Sequence, residues 1–151
     1  MIDAKARETL REAIRHLAAG QITNYEFDDR VPRGSNDSAV HQIFWQGAWR
    51  LYSDMPEYRL VGKRHLPLEA RPEIARWLLF LSTDLEYEWP SGGPWRTALL
   101  TFLNLVSLGV YGWLYRRHLR HLGDWEVWPF FRASDLDSAR SASPPYLAGA
   151  V

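Results

Sequence analysis

Residues 97–123, TALLTFLNLVSLGVYGWLYRRHLRHLG, decide how this chain is read. From 97 to 115 the only ionisable side chains are Tyr111 and Tyr115; Arg116, Arg117, His118, Arg120 and His121 then follow in quick succession. A run of that length approaches the roughly twenty residues needed to cross the hydrocarbon layer of a bilayer. Four features argue for a core helix instead. Thr97, Thr101, Asn104 and Ser107 dilute the apolarity. Gly109 and Gly112 suit a helix end and a restart. The arginines would hold the C-terminal end in the cytoplasm and force residues 1–95 across the membrane. The fourth feature is that the remaining helices all offer apolar faces that need a partner. The expectation is therefore a buried helix over 95–108 and a more amphipathic one over 110–122.

The 151 residues carry no net charge, with 46% hydrophobic and 14% aromatic side chains, enough for a filled core in one domain. A balanced charge removes the simplest argument for nucleic-acid binding. The absence of cysteine excludes disulfides, thiol chemistry and Cys-ligated zinc. The charged, amphipathic start MIDAKARETLREAIRHL lacks the apolar segment of a signal peptide, so the expected compartment is the cytoplasm. All but two of the 18 basic residues are arginine, a habit associated with bacterial chains of high GC content.

Upstream of the decisive segment, Ala6, Leu10, Ala13, Ile14 and Leu17 recur at helical spacing over residues 2–18, and Gly20 stops that helix. Thr23 and Glu26 stand at the spacing of a capping box, with Ile22 placed to staple against Phe27, so a short helix starts near Asn24 and ends before Pro32. Asn36 or Asp37 caps a third helix over 38–54, whose wide apolar arc (Val40, Ile43, Phe44, Trp45, Trp49, Leu51, Tyr52) implies packing on more than one side. A fourth helix runs from Pro72 to about Ser82, with Ile74, Trp77, Leu78 and Leu81 as its core stripe. Past the decisive segment, Ser134 or Asp135 caps a last short helix, and residues 143–151 form a loose tail. The fold expected is all-α: one helical domain over 1–142, a bundle of five to six helices. At most it holds a minor extended pair between LEYEW (85–89) and DWEVW (124–128).

The stretch LREAIRHLAAGQITNYEFDDRV (10–31) resembles the helical hairpins of SHOCT-like bacterial modules. It shares their amphipathic helix, a Gly (Gly20), an Ile-Thr pair (Ile22, Thr23) and Glu-Phe (Glu26, Phe27) opening a second helix. The resemblance covers about twenty residues and implies a role in association. FLSTDLEYEWP (80–90) and GDWEVWPFFR (123–132) also look like segments of small bacterial proteins, a likeness that carries no activity with it.

Chemistry is sparse. SGGP (91–94) lacks the lysine and the strand-to-helix setting of a phosphate loop, and neither a G-x-S-x-G elbow nor an H-E-x-x-H pair occurs. No cofactor is expected. Two arrangements could hold a metal. Asp84, Glu86 and Glu88 share one side of an extended DLEYEW, and His118 and His121 share one side of a helix with Asp124 beyond. Neighbouring arginines oppose a cation at the histidines, and an acidic comb equally suits a solvated edge. A metal-dependent hydrolase is thus one alternative, and a peripheral membrane component using 97–120 another. The reading preferred is a non-enzymatic interaction domain, an adaptor or a toxin-neutralising protein, with an unidentified protein partner. Its expected contact residues are Trp125, Trp128, Phe130, Arg116 and Arg120, because Trp and Arg dominate binding hot spots. The arrangement expected is a surface groove in which Trp125 or Trp128 stands beside Arg116 or Arg120.

Overall fold

A computed structural model describes residues 1–90 and 94–142, with the side chains of 94–97 and 119–121 left aside. The fold is mainly all-α. Seven α-helices occur among the described residues: α1 (Ala4–Ala18), α2 (Asn24–Arg30), α3 (Ser38–Gln42), α4 (Arg71–Leu81), α5 (Pro94–Val106), α6 (Val110–Leu122) and α7 (Ala133–Ala142). No strand is present among them; one isolated bridge joins Thr23 to Arg59. The tail expected at 143–151 lies outside the described residues.

Local sequence rules account for the first half. In α1, Ala6, Leu10, Ala13, Ile14 and Leu17 are all buried, as a 3.6-residue period requires. The chain leaves α1 through Gly20 at φ +67°, a left-handed conformation that side chains disfavour. The capping box of α2 is fully formed: Thr23 Oγ1 accepts from Glu26 N at 3.1 Å, and Glu26 Oε2 accepts from Thr23 N at 2.8 Å. Asp37 caps α3 by accepting from Ala39 N at 2.9 Å.

Asp37 has a second task. Its Oδ2 accepts from Arg7 Nε at 2.6 Å and its Oδ1 from Arg7 Nη2 at 3.2 Å, and both side chains are almost wholly buried. Arg7 Nη1 also donates to the Thr83 carbonyl at 2.8 Å, so one guanidinium ties α1 to the start of α3 and the end of α4. Burial pushes the Asp37 carboxyl up, but the hydrogen bonds from Arg7 and from the Asp3 and Ala39 amides hold it below its ordinary value.

The helix expected over 38–54 is instead three windings in succession that end at Leu51: α3, a π-helical turn at Ile43–Gly47, and a 3-10 turn at Ala48–Leu51, with Gly47 outside helical geometry between the last two and Tyr52 extended. Gly47 lies against the indole of Trp77, and a Cβ there would stand 2.8 Å from the ring. That close approach locks the π turn onto α4, where Ile74, Trp77, Leu79, Phe80 and Leu81 are buried.

The second half departs from expectation at its centre. The helix expected over 95–108 is not buried where its side chains are described, from 98 onward. Leu99 is 44% exposed, Phe102 61%, Leu105 76%, Val106 66% and Leu108 94%. Helices α5 and α6 turn at Gly109 (φ +90°) and pack chiefly on each other. The core place expected for α5 is taken by aromatic residues of the flanking loops: Trp89, Trp128 and Phe130 are buried among Trp77 and Phe80. The 124–128 segment is also not extended, because Trp125–Val127 form a 3-10 turn. LEYEW and DWEVWPF meet through side chains instead of a ladder. Trp89 Nε1 donates to the Phe130 carbonyl at 3.0 Å, and Trp128 Nε1 donates to the Tyr87 hydroxyl at 3.0 Å. Helix α7 starts at Ala133, ahead of both expected caps, and Asp124 Oδ2 accepts from Ala133 N at 2.9 Å. A cap supplied from nine residues upstream leaves no local signature.

Candidate functional site: an arginine-tryptophan groove

A groove of about 420 Å³ opens where four elements converge. The π turn supplies Gln46 and the 3-10 turn after it supplies Arg50. Helix α4 supplies Glu73 and Arg76, three apart and therefore on one face. The 124–131 loop supplies Trp125 and Trp128. π turns recur at functional sites because the extra residue re-aims the side chains that follow it, and here Gln46 sits within such a turn.

The two indoles differ in role. Trp128 is 7% exposed, held edge-to-face against Trp77 at 6.1 Å and anchored by its bond to Tyr87. Burial pushes the Tyr87 phenol up to about 12, so it is neutral throughout the physiological range. Trp125 is 50% exposed and rests edge-on against Trp89 at 5.0 Å. One ring therefore forms the floor and the other a free wall. The loop carrying them is braced by the Asp124 amide, which donates to the Phe131 carbonyl at 2.9 Å.

The charges in the groove are uncommitted. Among the described residues neither Arg50 nor Arg76 forms an ion pair or a side-chain hydrogen bond, and Glu73 is likewise unpaired. Arg76 Nε is buried with no hydrogen-bond partner, an arrangement that ordinarily costs about 1–3 kcal/mol until an acceptor arrives. Two guanidinium groups against one carboxylate make the groove cationic. A second hollow of about 380 Å³, near Tyr58 and Leu66, differs in this respect, since its Arg64 already lies over the Tyr58 ring at 4.2 Å.

The structure separates the residues that sequence reasoning grouped. Trp125 and Trp128 share the groove, but its arginines are Arg50 and Arg76. Arg116 is exposed on α6 and is not among the lining residues, and the Arg120 side chain lies outside the described residues. Phe130 is fully buried against Phe80 at 5.0 Å and is core, not contact surface. Asp84, Glu86 and Glu88 are exposed, with Glu86 3.5 Å from the N-terminal ammonium group. His118 is exposed on α6 and the His121 side chain is not described. Among the described residues no three histidine or carboxylate groups stand close enough to hold a metal ion, so the acidic comb and His118 do not form a centre.

Gln46, Arg50, Glu73 and Arg76 are absent from the sequence reading because three separate elements bring them together. Arg76 carries no signal of its own in the sequence, since Glu73 three residues earlier offers it an ordinary partner on the same helix face. Set against protein-family profiles, curated proteins and solved structures, the chain matches none.

Proposed function

We propose that the protein is an interaction domain that uses the arginine-tryptophan groove to hold an acidic segment of a protein partner. The observation that carries this reading is the half-exposed Trp125 standing with Arg50 and Arg76, two arginines that no carboxylate of the described chain neutralises. Arg forks match carboxylates in two-point geometry, and a rigid indole adds contact area at little entropic cost. Gln46 and Glu73 supply the polar rim that fixes orientation. The supporting scaffold is stiff, with the floor indole fixed by Tyr87 and the π turn fixed by Trp77. Nothing in this reading requires a bond to be made or broken, and the expected role is that of an adaptor.

Co-purification from the native host, with parent, Trp125→Ala and Arg76→Gln compared side by side, tests it. The parent should retain a partner that both variants lose. Trp125→Ala should cost only about 1 kcal/mol of stability, from its edge contact with Trp89. Variants that stay folded and keep every protein the parent keeps would refute the groove as the recognition surface.

A further inference from the structure

The α5–α6 hairpin carries a second surface, separate from the groove. Its outward residues are the reverse of those on a solvated helix. Leu99, Phe102 and Val106, at i, i+3 and i+7, form an exposed apolar stripe on α5 with Leu105 beside it. Contiguous apolar surface of this kind marks an interaction site.

The tip is built to leave water. The Ser107, Leu108, Gly109, Val110 and Trp113 amides all donate to backbone carbonyls within the hairpin. Tyr111 N donates to Ser107 Oγ at 2.9 Å, and Gly112 N donates to Asn104 Oδ1 at 3.1 Å. A side chain at Gly112 would collide with the Asn104 amide, so glycine permits this closure. Two of the four polar residues that weaken a membrane-span reading of the sequence, Asn104 and Ser107, thus satisfy amides of the turn internally, as backbone entering a low-dielectric layer requires.

Leu108 adds a second sign. It is a large apolar residue at φ +50°, a conformation suited to Gly or Asn, and it is 94% exposed. Such a residue contributes nothing to the core and carries a conformational cost, which points to use outside the fold. Below the tip, Arg116 and Arg117 are exposed without ion pairs among the described residues, and Arg117 lies over the Trp113 ring at 5.6 Å. The seven helical steps from Gly109 to Arg116 rise about 10 Å, comparable with the roughly 5–10 Å to which an interfacial helix sinks. Apolar tip, aromatic band and arginine collar follow one another in the order of acyl chains, interface and phosphates. Among the described residues no helix is long and apolar enough to cross a membrane, and this geometry needs none that does.

We infer that the hairpin tip docks into the interfacial layer of a bilayer bearing anionic headgroups, with Leu105, Val106, Leu108 and Trp113 entering the acyl boundary and Arg116 and Arg117 meeting lipid phosphates. Flotation of the full chain with vesicles of phosphatidylcholine containing about a quarter phosphatidylglycerol tests this. The parent should float with them and bind vesicles of phosphatidylcholine alone at least about tenfold more weakly. The pair Arg116→Gln and Arg117→Gln should weaken binding to anionic vesicles about 25-fold, at about fivefold per arginine. Leu108→Asp should weaken it about tenfold or more with the melting temperature unchanged. Brominated acyl chains should quench a fluorescence component that Trp113→Phe removes. No flotation, equal binding to neutral vesicles, or parental binding by Leu108→Asp would each overturn the inference. A dimer that dissociates on Leu108→Asp and ignores vesicles would also overturn it, assigning the tip to a second copy. Trp125→Ala should float like the parent, so failure here and failure of the groove are distinguishable.

Discussion

Helices α4 and α5 are of similar length and both rich in apolar residues, yet they live in opposite surroundings. α5 has the longer uncharged run, but it is α4 that is buried. The difference lies in what surrounds each helix. α4 lies between α1, the π turn and α7, and Gly47 lets Trp77 seat against the neighbouring backbone. α5 has α6 as its chief neighbour, and the space it might have filled is occupied by Trp89, Trp128 and Phe130. Apolar content alone therefore does not locate a helix. What matters is whether the rest of the chain still has an apolar face to offer it. The molecule thus divides into a body that uses its hydrophobic residues for stability and a hairpin that displays them.

The body is most vulnerable at its buried ion pair. Arg7→Ala leaves the Asp37 carboxylate buried without its partner and should cost about 3–5 kcal/mol in chemical denaturation. The same network makes stability acid-sensitive. The folded-state pKa values of Asp37 and Asp3 are lowered, so their contribution is present above the usual carboxylate value near 4 and is lost as pH falls through the folded values. A pH series of melts on the parent should be level near neutrality and decline in acid below that range.

A smaller effect sharpens the role of the π turn. Gly47→Ala drives a methyl against the Trp77 ring and should cost about 1–3 kcal/mol, measured by denaturant titration. It should also weaken partner capture, because Gln46 and Arg50 stand on either side of Gly47. A smaller loss is expected at the α2 cap. Thr23→Ala should cost about 1 kcal/mol, since the hydroxyl caps Glu26 N and also donates to Glu57 at 2.8 Å. An unchanged melting temperature would mean that the cap is dispensable in the body.

What could be read from the sequence was what is settled by neighbours in the chain. The α1 stripe, the Gly20 stop, the capping box at Thr23 and Glu26, the Asp37 cap and the break at Gly109 each depend on residues within a few positions of one another. The role of residues 97–115 did not, because the same apolar run suits a core, a protein partner or a lipid surface. The loop aromatics illustrate the same limit. Trp125 and Trp128 stood out by type, but only the fold could assign one to the wall and the other to the floor, or place Phe130 in the core. Arg50 and Arg76 were illegible as a pair because they lie 26 residues apart on different elements and meet only across the groove.

Two matched truncations compare the body and the hairpin directly. Leu10 is fully buried in α1 and Leu105 is 76% exposed in α5. Unfolding free energies should fall by about 2–5 kcal/mol for Leu10→Ala and change by no more than about 0.5 kcal/mol for Leu105→Ala. A loss of about 2 kcal/mol or more at Leu105 would place the hairpin in the core and contradict the division on which both binding surfaces rest.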